Sequence, residues 1–298
     1  MSSLKSISNN NEHKSAILLN CLWKKNEKMI AFSNAKINIG LQVKRKRPDG
    51  FHELETLFYP IPLTDVIEIL PHNKFLLEQN GPFAVDCPIK DNLVYKAYDI
   101  VAQDYAINPV RIILHKNIPS GAGLGGGSSN AAYTLKLLNE IHDLKLDSHK
   151  LEEYAAKLGS DCAFFIKNKP AIATGRGEIL KPYNFSLKGK YLVLVIPEIH
   201  ISTAEAYGGI SPKMPDKQLD RILRDQNTWK ANLKNDFENH IFTKHKQLQS
   251  IKDELYKSGA YYAAMSGSGS SMFGLFNNEP EAIELSNIRL QKTFQLEI

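Results

Sequence analysis

The chain has 298 residues, of which 43% are hydrophobic and 23% are charged. This composition is typical of a globular protein rather than a disordered one, and the length allows one large domain or two ordinary ones. The net charge is only +5, and five lysines and two glutamates in residues 1–28 supply +3 of it, so we expect no nucleic-acid partner. No apolar run reaches about 18 residues, so we expect no membrane-spanning helix and no membrane partner.

Residues 1–28 contain one short apolar segment, without a small-residue cleavage site after it. We therefore expect no secretory signal and interpret these residues as a disordered tail or an upstream extension. The three cysteines are widely separated and form no CxxC motif. This disfavours a disulfide scaffold and a structural zinc site, and it predicts a cytoplasmic protein.

The first predicted strand covers residues 30–43, because apolar and polar residues alternate strictly from Lys36 onward. Lys36 and Asn38 then project from the same face. A basic run at 44–47 and the turn sequence PDG follow, and two further strands are predicted over 52–58 and 66–70. We interpret the basic run as a solvated hairpin tip, with electrostatic steering of anionic substrates as the alternative.

A helix over 92–104 and a strand over 110–115 lead to a glycine-rich loop at 119–129. The leucines after the loop repeat at helical spacing. The next helix is predicted to begin with Ser148 as its N-cap and to end at Gly159 in a left-handed conformation. Asp161 then precedes an apolar segment at 162–166.

The second half contains a strand over 191–196, helices near 217–225 and 245–258, and a Gly/Ser loop at 266–271 that leads into a strand. Strands and helices thus mix along the chain, which indicates an α+β or α/β class. Glycine-rich loop sequence around 172–178 suggests a domain boundary. We expect residues 29–176 and 177–298 to form two domains.

Five of the seven residues from 121 to 127 are glycine. Without Cβ atoms, their N–H groups can surround an anion, and the start of the following helix adds unpaired donors and a positive dipole end. This favours a nucleotide's phosphate chain over a flexible linker. A P-loop is disfavoured because Gly127 stands where its lysine would be. A dinucleotide-binding fold is disfavoured because another helix, not a strand, follows.

Three segments in this order resemble the motifs of the GHMP kinases, a superfamily of small-molecule kinases: 35–40 (AKINIG), 119–129 (PSGAGLGGGSS) and 266–271 (SGSGSS). The segments 47–53 (RPDGFHE) and 159–161 (GSD) are similar to the branch that acts on a cytidine-diphosphate-linked methylerythritol. The resemblance implies an α+β fold of two domains with the active site in the cleft between them. It also implies transfer of the γ-phosphoryl group of ATP, with Mg²⁺, to a hydroxyl group of a small-molecule substrate.

The resemblance assigns catalytic roles to Asp161 and Lys36. Asp161 would accept the proton of the substrate hydroxyl and aim its oxygen, with a helix N-cap as the alternative interpretation. Lys36 would bind that hydroxyl and lower its pKa. Asn38 would orient further substrate hydroxyls.

The resemblance also implies a cytidine site. Phe51, where the branch more commonly has tyrosine, would stack on the cytosine, and His52 would bind its polar edge. Tyr207 would be a second stacking aromatic, with Thr203 near the pyrimidine or its ribose. The Gly/Ser loop would let backbone approach the substrate at Gly267 and Gly269.

The nucleotide site is expected to include Asn92 near adenine and Lys116. Its phosphate-binding loop would comprise Pro119, Gly121, Gly123, Leu124, Gly125, Gly126, Gly127, Ser128 and Ser129. Ser128 or Ser129 would bind Mg²⁺, which needs few protein ligands. Two alternatives remain: a homoserine- or mevalonate-type kinase of the same superfamily, and a non-catalytic nucleotide-binding relative.

Overall fold

The computed structural model describes residues 28–297. The interpretation of residues 1–28 as a tail therefore lies, apart from Lys28, outside the described residues. Two β-sheets with helices packed on them confirm the predicted α+β class. Within the described range, no helix is both long enough and apolar enough to cross a membrane.

The first sheet has six strands in the order β3-β4-β2-β5-β6, with β1 paired to β2. The strands are β1 (Met29–Lys46), β2 (His52–Pro71), β3 (Leu76–Asn80), β4 (Val110–His115), β5 (Ala171–Gly175) and β6 (Ile179–Pro182). All pairs are antiparallel except β3 with β4. The predicted strand at 30–43 is confirmed.

The prediction of two separate strands at 52–58 and 66–70 is wrong, because β2 runs through both. Pro60 and Pro62 lie between the two predicted segments. Along its far side β2 pairs with β5 at residues 54–58 and with β4 at residues 66–71. The two prolines lie between these ladders, where a missing N–H removes no hydrogen bond on that side.

Four helices belong to the first half: α1 (Leu93–Asp104), α2 (Gly126–Ile141), α3 (Ser148–Leu158) and α4 (Phe164–Lys167). The helix after the glycine loop thus begins at Gly126, earlier than the leucine repeat suggested. Ser148 is not an N-cap, because the Asp147 side chain accepts from the Lys150 N–H instead. Gly159 is also not left-handed, since its φ of 171° is extended backbone.

The second sheet has the order β10-β7-β9-β8 and is antiparallel throughout. Its strands are β7 (Tyr191–Pro197), β8 (Tyr262–Met265), β9 (Met272–Phe276) and β10 (Ile288–Gln295). The helices of this half are α5 (Thr203–Gly208), α6 (Leu219–Leu223), α7 (Trp229–Asn232), α8 (Phe237–Lys244) and α9 (Lys246–Lys257). The Gly/Ser loop connects β8 to β9, as predicted.

One apolar cluster joins the two sheets. It contains Ile37 and Ile39 of β1 together with Leu194 of β7 and Phe273 of β9, all fully buried. The Leu41 N–H also donates to the carbonyl of residue 234 at 2.9 Å. The apolar cluster and this hydrogen bond therefore hold β1 against the second half of the chain. The division at 176/177 stays a prediction, and β6 continues the first sheet beyond it.

Candidate active site

Lys36 and Asp161 lie together, although 125 positions separate them in the sequence. The Lys36 ammonium is 3.4 Å from a carboxylate oxygen of Asp161. The lysine side chain is only 4% exposed, whereas the aspartate is 29% exposed. Asp161 is not an N-cap, because the short helix α4 begins after Ala163. The Asp161 carboxylate is therefore accessible to a ligand, and the buried Lys36 ammonium forms an ion pair with it.

Three further contacts fix the Lys36 side chain. Its ammonium donates to the Asn38 side-chain oxygen at 2.5 Å and to the Gly123 carbonyl at 3.1 Å, and it lies 4.9 Å from the centre of the Phe58 ring. Asn38 is held in turn, because its amide donates to the Thr56 hydroxyl at 3.1 Å. Lys36 and Asn38 thus share one face of β1, as the alternation predicted.

The glycine loop passes directly beside this pair. Gly123 has a φ of +76°, and a Cβ atom there would lie 2.0 Å from the Ser266 carbonyl oxygen. Gly125 has a φ of +68° and immediately precedes α2, so the loop turns into the helix at this residue. Both positions need glycine, because L-residues rarely adopt such angles and a side chain would collide.

A cavity of about 210 Å³ lies next to Lys36 and Asp161. We call it the acceptor cavity, after the substrate that the resemblance implies. It is lined by these predicted residues: Lys36, Asn38, Gly123, Gly125, Asp161, Thr203, Tyr207 and Gly267. Residues that sequence reasoning missed complete the wall, notably Thr56, Phe58 and Arg176. Its polar lining residues include Lys36, Asn38 and Asp161, and its aromatic ones are Phe58, Tyr207 and Phe237.

A second, larger cavity of about 470 Å³ lies along the glycine loop. Its predicted lining residues are Asn92, Lys116, Pro119, Gly121, Gly125, Gly126, Gly127 and Ser128. Gln79, Val85 and Cys87 also line it and were not predicted. Asn92 is the N-cap of α1, since its side chain accepts from the Val94 N–H at 2.9 Å. We call this the nucleotide cavity from here on, after the ligand that the resemblance implies.

Asp161 and Thr203 line both cavities. Thr203 is the first residue of α5, and Asp161 lies in the segment between α3 and α4. A group bound against the glycine loop and a group bound in the acceptor cavity would therefore meet at one carboxylate. This is the arrangement that an in-line group transfer needs.

Lys116 differs from its predicted role in one respect: its ammonium is committed to a buried ion pair. It donates to the carboxylate of Asp65, which is fully buried, and to the Asn130 side-chain oxygen at 2.9 Å. Burial lowers the pKa of Lys116, and the charge of Asp65 opposes that shift. The other Asp65 oxygen accepts from the Ile118 N–H at 2.8 Å. These contacts of Lys116 and Asp65 connect the segment before the glycine loop to helix α2.

Further aromatic residues lie close to Tyr207, which lines the acceptor cavity. The His52 and Tyr207 rings stack, with centroids 4.9 Å apart. Burial lowers the pKa of His52, with the charge of Lys46 as a smaller cause. Phe51 is half exposed, and its ring lies 4.7 Å from the Arg176 guanidinium. Phe51 and His52 do not line either cavity themselves.

Ser128 and Ser129 occupy different environments. Ser128 lines the nucleotide cavity, whereas Ser129 is fully buried and its hydroxyl has no partner among residues 28–297. Leu124 is likewise buried in the core, and Gly269 lines neither cavity. No cluster of three or more His, Cys, Asp or Glu residues suited to a metal occurs in that range. A cation here would thus depend on a hydroxyl and on a ligand's own oxygens.

The chain is similar to known proteins in its domains, its sequence and its fold. The chain matches the N-terminal domain of the GHMP kinases over residues 92–169 and their C-terminal domain over residues 217–294. It is 52% identical to a 4-diphosphocytidyl-2-C-methyl-D-erythritol kinase of Bacteroides fragilis, over 91% of this chain and 100% of that protein.

Solved structures show the same pattern. A crystal structure of 4-(cytidine 5'-diphospho)-2C-methyl-D-erythritol kinase aligns with a TM-score of 0.71 at 34% identity, covering 83% of this chain and 90% of the other. A homoserine kinase from Cytophaga hutchinsonii aligns with a TM-score of 0.64 at 13% identity, covering 86% and 87%. The second likeness concerns the fold alone.

Proposed function

The chain belongs to the GHMP kinases, and we propose that it transfers the γ-phosphoryl group of ATP to the 2-hydroxyl group of 4-diphosphocytidyl-2-C-methyl-D-erythritol. The products are the 2-phosphate and ADP, a step of the methylerythritol phosphate route to isoprenoid precursors. The observation that carries the proposal is the Lys36–Asp161 pair at 3.4 Å, whose aspartate lines both cavities. Its assignment to this substrate rests on the relatives at 46–52% identity.

Asp161 and Lys36 carry the chemistry in this proposal. As the 2-hydroxyl oxygen forms its bond to the γ-phosphorus, the bond from phosphorus to the β-phosphate oxygen of ATP breaks. The Asp161 carboxylate accepts the hydroxyl proton late in this step, when the oxygen has become acidic. Lys36, fixed by Asn38 and Gly123, stabilises the negative charge on the reacting oxygen.

The nucleotide occupies the cavity along the glycine loop, with its phosphates at the start of α2. The backbone N–H groups of Gly125 to Gly127 would bind an anion there, because these residues have no side chains to keep it away. Lys116 stabilises the loop through its contacts with Asp65 and Asn130. Asn92 also lines this cavity and is proposed to lie near the adenine.

We further propose that the reaction uses Mg²⁺. Of the two candidate hydroxyls, Ser128 fits better, because it lines the nucleotide cavity while the Ser129 hydroxyl is buried. An ion held there would offset part of the negative charge of the ATP phosphates. The few protein ligands suit Mg²⁺, which retains water and phosphate oxygens.

The cytidine end of the substrate is proposed to bind at the stacked rings of His52 and Tyr207, with Thr203 close to the ribose. Phe51 lies beside this platform and supplies a further aromatic face without a phenolic hydroxyl. Backbone at Gly267, which lines the acceptor cavity, would complete the site from the second sheet. The cytoplasmic location and the interdomain position of the cleft stay predictions.

One assay tests the proposal. The full chain is incubated with Mg-ATP and, separately, diphosphocytidyl-methylerythritol, mevalonate or homoserine, and ADP release is followed. We expect turnover with the cytidine substrate only. Turnover with mevalonate or homoserine alone would favour another branch of the superfamily. ATP binding without turnover on any of the three would favour the non-catalytic alternative.

A further inference from the structure

The Gly/Ser loop between β8 and β9 contacts both the glycine loop and β1 through one buried side chain. Ser266 is fully buried at the start of this loop. Its hydroxyl donates to the Gly123 carbonyl at 2.9 Å and accepts from the backbone N–H of Asn38 at 3.2 Å. One hydroxyl from the second sheet thus contacts both the glycine loop and β1.

The Gly123 carbonyl also accepts from the Lys36 ammonium at 3.1 Å. Lys36 and Ser266 therefore share one acceptor, and Asn38, the other partner of Ser266, is also the closest hydrogen-bond partner of Lys36. If the hydroxyl were absent, the Asn38 N–H would lose its acceptor inside the protein. A buried donor without a partner is costly, so the surrounding backbone would shift to satisfy it.

We propose that Ser266 is a positioning residue that sets the direction of the Lys36 ammonium towards Asp161. It does not touch the substrate, and it acts by fixing the carbonyl of Gly123 and the backbone of Asn38. This inference rests on the proposed function, since it assigns the position of Lys36 to phosphoryl transfer. Small displacements matter here, because a shift of about 1 Å can lower a rate about 100-fold.

Ser271 is a matched control at the other end of the same loop. It is as fully buried as Ser266, yet its hydroxyl has no hydrogen-bond partner within residues 28–297. Replacing either serine by alanine removes one buried oxygen, but only Ser266→Ala removes contacts to the Lys36 environment. A purely structural role of Ser266 would lower the stability of Ser266→Ala without lowering its kcat.

The test compares Ser266→Ala and Ser271→Ala with the wild-type chain. We expect Ser266→Ala to lower kcat at least about tenfold with less than about a threefold change in KM for ATP, and Ser271→Ala to stay within about twofold in both. Ser266→Cys, which fills the same space with a weak donor, should also lower kcat. Ser266→Cys replaces Ser266→Ala in this test if the alanine variant folds poorly. Equal kcat for the Ser266 and Ser271 variants would overturn the proposal.

A second measurement does not depend on the acceptor substrate. Lys36 is almost inaccessible, so its reductive methylation, followed by peptide mass spectrometry, should be slow in the wild type. We expect faster labelling of Lys36 in Ser266→Ala and no change in Ser271→Ala. An unchanged rate in Ser266→Ala would overturn the inference. If the wild type failed to turn over diphosphocytidyl-methylerythritol, the proposed function would fall, and the labelling comparison would still decide this inference.

Discussion

Replacement of Asp161 by asparagine separates the charge of this residue from its shape. At 3.4 Å the attraction between Lys36 and Asp161 is about 5 kcal/mol for an effective dielectric constant of about 20. Desolvation offsets much of this, so we expect the free energy of unfolding to fall by no more than about 3 kcal/mol. Lys36 keeps its contacts with Asn38 and Gly123 and should stay in place.

The catalytic effect should be much larger than the effect on folding. Without a carboxylate to accept the hydroxyl proton, we expect kcat of Asp161→Asn to fall by about 10²- to 10⁴-fold. Equilibrium binding of an ATP analogue and of the cytidine substrate, measured by calorimetry, should change by less than about threefold. Asp161→Glu, which keeps the charge but moves it by one methylene group, should retain more activity than asparagine. A kcat of Asp161→Asn within about threefold of wild type would refute the catalytic role.

Three further substitutions test other parts of the site. Tyr207→Leu removes the stack on His52, and KM for the cytidine substrate should rise about three- to tenfold while KM for ATP is unchanged; equal rises in both would contradict a cytidine site there. Asp65→Ala leaves the Lys116 ammonium buried without its counter-charge, so urea unfolding should show a loss of about 3–5 kcal/mol, and a loss below about 1 kcal/mol would show that the pair is not needed. Gly123→Ala should cost more than the roughly 1–2 kcal/mol expected for the control Gly189→Ala, because both have positive φ but only Gly123 faces a backbone oxygen at 2.0 Å. Equal losses of stability in the two glycine variants would argue against that contact.

The sequence predicted the parts of the site that depend on local pattern. Strict alternation along β1 placed Lys36 and Asn38 on one face, and the glycine content of the loop indicated close backbone approach. The predicted start of α2 is too late, because glycines at 126 and 127 are poor helix formers and only the packing of the helix against the rest of the protein supports its first turn. Local propensity alone does not record that support.

Contacts between distant segments could not be predicted in the same way. Arg176 and Thr56 carry no motif of their own, and they line the acceptor cavity only because β5 and β2 pair side by side. Asp65 looked like an ordinary strand residue, although the structure buries it against Lys116. In each case the residue's role comes from its tertiary partner, which a single sequence does not reveal.

The wall shared by the two cavities has a practical meaning for inhibitor chemistry. Because Asp161 and Thr203 border both spaces, one compound carrying an adenine nucleotide at one end and a cytidine group at the other could occupy both through a short tether. Binding of the first end would raise the effective concentration of the second, so such a bisubstrate compound should exceed either half in affinity. It would also have to match two pockets at once, so an enzyme that has only the nucleotide pocket would bind it less tightly.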